Sequence, residues 1–354
     1  MLIGTDTFIF GALMLNILAW ATKTCTDPSK FPFVQLNVTL PGFSYVSIST
    51  EGITICVVNC LKRKWCKSFN FNLRSGDCEL NFATSSHGSI NATHLMPATG
   101  FVFSDIKHWP QRMAGACANH NCTAGSYCKE IDGIQFRCIG YASSCGKVKE
   151  CHPSSPDGEY WLRLLNFDLY RTRIYCYNMN TDTPLEYLTL PTPNYGIYPK
   201  VGNVLCSAEI GLTGTCTGSG GEVWYNKIRV RIQNMVVVRN DATFANLTNV
   251  HLPYAMAKDC YARHDNGVVS SCGTRGEFTV NLTGTGWAVR ADQPWIVEGW
   301  KSAIESIVRS ENGSVVHLKC GGRPGWCHPN GSLTLTVLPT KVVEESSATE
   351  VECV

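Results

Sequence analysis

At 354 residues the chain is longer than one ordinary hydrophobic core supports, and two or three domains are expected. Only 16% of residues are charged and the formal net charge is +2, which excludes a global bias toward nucleic acid or acidic partners and leaves only local patches. Nineteen cysteines without a CxxC pair exclude the usual cytosolic zinc frameworks and point to an oxidising compartment, where disulfides offset thin cores.

Residues 8 to 20, FIFGALMLNILAW, form an apolar run too short to span a bilayer comfortably, and Ala19-Trp20-Ala21 supplies a small-x-small cleavage pattern. A signal peptide over residues 1–21 is expected. Asp6 stands before the run in place of a Lys or Arg, so a retained anchor is the alternative. No later segment is long and apolar enough to span, and VEESSATEVECV is no lipid-anchor tail. Seven N-x-S/T sequons, at Asn37, Asn91, Asn121, Asn246, Asn281, Asn312 and Asn330, agree with export.

In EGITICVVNCLKRKW the apolar Ile53, Val57 and Leu61 recur every fourth residue, which predicts a short helix with Cys56 and Cys60 one turn apart on a neighbouring face. Side chains so placed point the same way, so each cysteine reaches another element. KSFNFNL then alternates as a strand, RSGD turns, and Cys78-Glu79-Leu80-Asn81 begins a second strand. The Cys56-x3-Cys60-x5-Cys66 spacing, the SFNF strand and the CELN ending resemble the PAN/apple family over about 55 residues. That resemblance implies the pairs Cys56–Cys78 and Cys60–Cys66, and a module that binds proteins or carbohydrates without catalytic machinery. The outer bridge of full apple domains has no partner cysteine here, which leaves Cys25 as the odd cysteine, a free thiol or one end of an intermolecular bridge. Lys62, Arg63, Lys64 and Lys67 lie at the helix end, where cations complement the helix dipole; a sulfated-polysaccharide site is the sharper alternative.

KHWPQRMAGA reads as a linker. Cys117-x4-Cys122-x5-Cys128-x9-Cys138, with Gly125 and Phe136, resembles the first two-thirds of an EGF-like module, which implies Cys117–Cys128 and Cys122–Cys138. Position 140 is Gly where the next cysteine belongs, so the module is truncated, a stiff spacer without the acidic residues of a calcium-binding form.

The stretch DGEYWLRLLNFDLYRTRIYC predicts two strands joined by a tight connection, Tyr160, Leu162 and Leu164 facing one side and Trp161, Arg163 and Leu165 the other. NKIRVRIQN, GEFTVNL and SLTLTV alternate as half-buried antiparallel strands, with Asn312-Gly313 and Asn330-Gly331 suited to hairpins. Lys227, Arg229 and Arg231 fall on one strand face about 7 Å apart, a spacing that fits a repeating sulfated sugar or an ordinary solvated face.

Here a second resemblance runs in order from Cys145 to the 330s. It is carried by Asp157-Gly158-Glu159-Tyr160, Ile174-Tyr175-Cys176 with Met179, Lys227-Ile228-Arg229, Asp259-Cys260-Tyr261, Gly284-Thr285-Gly286 and Cys320-Gly321-Gly322 with Cys327. The segment is similar to the GON domain at the C-terminus of certain ADAMTS-family metalloproteases. The opening, Pro153 to Tyr160 and Tyr175 to Met179, also resembles fibrinogen-like domains, but nothing downstream continues that pattern. Local pairs Cys145–Cys176, Cys206–Cys216, Cys260–Cys272 and Cys320–Cys327 are expected, and Cys151–Cys353 if the domain ends meet.

A zincin needs HExxH, two histidines one helical turn apart around a glutamate base, and none of the nine histidines sits in that pattern. There is no nucleophile elbow or P-loop, and the EF-hand-like set Asn178, Asn180, Asp182, Glu186 has Thr183 where the turn glycine belongs.

The expected fold is multidomain and β-rich. It comprises a small α+β disulfide-stapled PAN/apple-like domain over 22–105, a linker over 106–116 and a short EGF-like module over 117–144. A larger antiparallel-β GON-like domain follows over 145–340, then a tail over 341–354. The expected function is a secreted, non-catalytic recognition glycoprotein of matrix or cell surface. It would bind extracellular proteins or sulfated polysaccharides, with no cofactor, metal, nucleic acid or stable membrane insertion. A metalloprotease-associated protein and a fibrinogen-like lectin-type binder are the alternatives.

Overall fold

A computed structural model describes residues 27–86, 94–123, 125–167, 170–199, 220–260, 262–265, 268–271, 274–338 and 348–354. The signal segment, Cys25, Asn91, the pair Cys206–Cys216, Cys272 and part of the 341–354 tail lie outside the described residues. The chain divides into two compact units. One runs to Leu61 and resumes over Cys66–Ala114; the other holds Lys62–Trp65 and Gly115–Val354.

The first unit is an antiparallel sheet with one helix. Its strands are β1 (Gln35–Thr39), β2 (Ser44–Ser49), β3 (Ser68–Asn72), β4 (Asp77–Asn81) and β5 (Met96–Asp105), in the order β1-β5-β3-β4-β2. Helix α1 (Ile53–Leu61) lies against β3 and β4 through the buried Ile53, Val57 and Leu61. Disulfides Cys56–Cys78 and Cys60–Cys66 cross-link that packing, with Cα atoms 5.5 and 5.3 Å apart. Asn70, wholly buried on β3, replaces a strand partner with its side chain. Leu40 N–H donates to its Oδ1 at 2.8 Å, and its Nδ2 donates to Leu40 O at 3.1 Å. The linker reading of 106–116 is corrected. Trp109 is buried against Phe31, Phe33 and Phe69 and donates to Ser104 Oγ, so this segment closes the first core.

The second unit opens with the hairpin β6 (Ser126–Glu130) and β7 (Phe136–Tyr141), held by Cys117–Cys128 and Cys122–Cys138. Helix α2 (Cys145–Cys151) is capped by Ser144, whose Oγ accepts from Lys147 N–H. Then come β8 (Gly158–Leu164), β9 (Tyr170–Tyr177), β10 (Leu185–Tyr198), β11 (Gly221–Arg231), β12 (Val236–Val237), β13 (Ala245–Thr248) and β14 (Ala257–Asp259). The series continues with β15 (Ala262–Asp265), β16 (Val268–Ser271), β17 (Gly276–Asn281), β18 (Trp287–Val289), β19 (Trp295–Gly299) and β20 (Ala303–Arg309). It ends with β21 (Val315–Gly321), β22 (Gly325–Pro329), β23 (Leu335–Val337), β24 (Thr349–Glu350) and β25 (Glu352–Cys353).

One sheet runs β20-β21-β17-β10-β9-β8-β24, with β11 also on β10 and β12 and β13 on β11. Strand β10 changes partners midway. Its start pairs with β9 and its end with β17, and its register against β11 slips between Thr189 and Asn194. Pro191 and Pro193 fall in that slip, and neither has an N–H to give the ladder. The buried side chain of Asn194 repairs the break. Its Oδ1 accepts from Asn281 N–H (2.7 Å) and Tyr254 O–H (2.6 Å), and its Nδ2 donates to Asn281 O (2.9 Å).

Four further expectations change. Leu165 belongs to a 3₁₀ turn, Leu165–Phe167, rather than to β8. Asn330-Gly331 makes no hairpin, because β22 pairs with β14 and β19 while β23 pairs with β18. The described end of the 341–354 segment is structural. β24 adds to β8 in parallel, β25 adds to β7, and Cys353 is bonded to Cys151. The EGF-like hairpin is thereby part of the large unit and not a spacer before it.

Candidate recognition surface

Strand alternation on β8 to β11 sends Tyr160, Leu162, Leu164, Ile174 and Ile228 into the core. The opposite face carries Glu159, Trp161 and Arg163 from β8, Arg171, Arg173 and Tyr175 from β9, Tyr187 and Thr189 from β10, and Lys227, Arg229 and Arg231 from β11. Register aligns Glu159 with Tyr175, Tyr175 with Tyr187, and Tyr187 with Arg229. One row across the four strands therefore reads Glu159, Tyr175, Tyr187, Arg229, with the Tyr187 ring itself buried.

The cations are held by specific partners. Lys227 Nζ lies 3.2 Å from Glu159 and 2.7 Å from Thr189 Oγ1, over the Tyr175 ring at 4.3 Å. Arg229 pairs with Asp241 at 3.3 Å, which also accepts from the Tyr187 hydroxyl. Burial pushes the Asp241 carboxyl up, but hydrogen bonds from Thr243, Tyr187 and Arg229 outweigh it and hold it below its ordinary value. Phe244 covers this corner, edge-on to Tyr175, Tyr177 and Tyr187. Arg171 stacks on Trp161 at 3.8 Å and pairs with Glu350 at 2.9 Å. Arg163, only 5% exposed, stacks on Tyr141 and shares the same carboxylate.

The stripe read from sequence is thus half of a two-dimensional array. Lys227 and Arg229 are internally paired and partly covered, whereas Arg231 is exposed. The sequence reading missed Arg171 and Arg173, although their alternation in YRTRIYCY was the available signal. Of the other predicted cluster, Arg63 is buried in the second unit, over the Tyr127 ring at 4.8 Å and within reach of Tyr141 O–H, and so is unavailable to a glycan. Lys64 and Lys67 are exposed and Lys62 is half-buried. Cys145–Cys176 and Cys320–Cys327 staple the large unit beside Cys151–Cys353. Cys260 is disulfide-bonded. Asn37, Asn121, Asn246, Asn312 and Asn330 are exposed and Asn281 is half-buried. In the EF-hand-like loop Asp182 lies 3.9 Å from Lys149. Among the described residues no three His, Cys, Asp or Glu side chains gather as a metal site would need.

The profile of the GON domain matches residues 142–338, and that of the PAN domain matches residues 32–102. This chain belongs to the GON-domain family. Similar curated proteins are "A disintegrin and metalloproteinase with thrombospondin motifs 20" of Homo sapiens, 28% identical over 60% of this chain, and "A disintegrin and metalloproteinase with thrombospondin motifs gon-1" of Caenorhabditis elegans, 30% identical over 53%. The chain spans 11% and 9% of those relatives' lengths. What the GON-family chain shares with them is the GON region, and the family matches place no protease domain on it. The four strands of the array lie within the GON match, whereas Tyr141 and Glu350, which hold Arg163 and Arg171, fall outside it. Among the described residues no helix is long and apolar enough to cross a membrane.

Proposed function

We propose that this GON-family chain is a secreted, non-catalytic recognition glycoprotein of the extracellular matrix or cell surface. The observation that carries this reading is the outer face of β8 to β11. There five guanidinium or ammonium groups (Arg171, Arg173, Lys227, Arg229, Arg231), with Arg163 buried behind them, stand among three carboxylates (Glu159, Asp241, Glu350) on a disulfide-stapled sheet. The surplus is positive, the rings between the charges are fixed, and the groups are organised before any ligand arrives. Sulfated polysaccharide is the ligand chemistry that such a face fits, and acidic protein surfaces share it.

The test is retention of the intact chain on immobilised heparin. The variant Arg171→Glu/Arg173→Glu/Arg231→Glu should elute at clearly lower salt, since surface charge pairs are screened. Elution unchanged from the parent would reject this face. A second reading, a partner of a metalloprotease, is favoured by the family relation. Hydrolysis of matrix protein by the purified chain, abolished by a chelator, would overturn the non-catalytic reading.

A further inference from the structure

The small sheet β14-β22-β19 carries an arrangement the cationic array does not use. In register across it stand Lys258, Trp326 and Glu298. The Trp326 indole N–H donates to Glu298 at 3.1 Å, and the other Glu298 oxygen lies 3.4 Å from His328 Nε2. Lys258 Nζ sits 5.5 Å from the Trp326 ring centre and 5.0 Å from that of Tyr198. Just beyond Gly299, which pairs with Gly325, a second indole, Trp300, is 53% exposed with Lys301 beside its ring.

We propose that this face is a binding platform for a neutral oligosaccharide; the inference deepens the recognition reading and rests on it. A pyranose ring presents C–H bonds on one face and hydroxyls around its edge. The C–H face is attracted to an indole π-face, and the hydroxyls need donors and acceptors at the rim. Trp300 and Trp326 supply the faces. Glu298 accepts and Lys258 donates, while His328, engaged by Pro329 O at Nδ1 and by Glu298 at Nε2, positions the carboxylate. Two isolated indoles ringed by polar groups suit a sugar better than a protein partner, which would require a contiguous apolar core. Across Trp326 the Glu298 carboxylate offsets the Lys258 ammonium, so that indole lacks the cationic surplus a sulfated chain would need and suits a neutral sugar.

The platform is built before binding. Beside Lys258, the fully buried Asp259 accepts from Gly276 N–H at 2.8 Å and Gly322 N–H at 3.0 Å, which locks β14 to its neighbours. Cys327, next to Trp326, is bonded to Cys320 of β21. A Cβ at Gly299 would meet Pro324 O at 2.3 Å, so the turn that presents Trp300 admits only glycine there. Little side-chain entropy remains to be lost at Trp326.

The experiment is saturation-transfer NMR on the intact chain with triacetylchitotriose, N-acetyllactosamine and mannotriose as probes, with indole fluorescence alongside. At least one sugar should receive saturation on its ring protons, and Trp300→Ala, at an exposed turn, should weaken it about tenfold, an effect of about 1.4 kcal/mol. Glu298→Gln, which keeps the shape, should weaken it less, and Trp326→Ala should abolish it. Absence of transfer to all three sugars, or transfer unchanged in Trp300→Ala and Trp326→Ala, overturns the platform. The same preparation is also assayed on heparin and on cultured cells. Binding there with no sugar signal refutes the platform alone, and binding nowhere refutes the recognition reading as well.

Discussion

Two buried asparagines do the work of missing backbone. Asn70 pairs with both polar groups of Leu40, and Asn194 bridges Asn281 and Tyr254 where the prolines of β10 interrupt the ladder. Asn194→Ala would leave the N–H and C=O of Asn281 and the Tyr254 hydroxyl without that partner inside the unit. A stability loss of about 2–4 kcal/mol is expected, read as a lower denaturation midpoint with unchanged slope. Neither role was legible in the sequence, because an asparagine gives no local sign of which distant strand it will meet. The slip was better marked, since Pro191 and Pro193 inside an otherwise alternating run already deny a continuous ladder. Lys227 and Arg229 were legible as a stripe, but their acids, Glu159 and Asp241, come from separate segments and could not be paired by inspection. Lys227→Glu would set a second carboxylate beside Glu159. It is expected to cost stability as well as binding, and comparing its melting temperature with that of Arg231→Glu, where no such clash arises, checks this.

Among the elements, strap β24–β25 was the least readable. Its residues, TEVEC, show no alternation long enough to mark a strand, and its partners lie some 200 positions upstream. Glu350 reaches Arg163 and Arg171, and Glu352 meets Tyr127 and Lys129. The Tyr127 hydroxyl and then Lys129 hold the Glu352 carboxyl below its ordinary value of 4.5, against the opposing effect of burial. A depressed carboxyl contributes stability that is complete above its ordinary value and is lost as pH falls through the lowered one. Amides of β7 should therefore lose exchange protection on acidification below that range, and earlier in Lys129→Ala, whereas protection that does not change with pH would dismiss the ionic part of the clasp. Replacing both Cys151 and Cys353 by serine is expected to cost about 2–5 kcal/mol, measured by denaturant unfolding.

For the whole molecule, domain order and family were readable because cysteine spacing and strand alternation are local signals, and the GON and PAN matches fall where those signals are. The limits of the units were not, since membership of a core is decided by contacts such as those of Trp109 and Cys353. Sequon positions add a prediction at this scale. Asn37, Asn121, Asn246, Asn312 and Asn330 are exposed and should carry glycan in material from a secretory host. Asn281 is half-buried, with its backbone tied to Asn194, and should be occupied less. Glycopeptide mass spectrometry decides, and full occupancy at Asn281 would count against the described packing.

The bond between Cys151 and Cys353 has a temporal meaning as well. The two cysteines are 202 positions apart, so during synthesis the first is made long before its partner exists. Cys145 is already present, and Cys176 and the later thiols of the unit appear in that interval, each a possible wrong partner. A chain built this way depends on its isomerase more than one whose bridges all close locally. Pulse-labelled protein should pass through a mixed-disulfide stage that the Cys151→Ser/Cys353→Ser chain shortens.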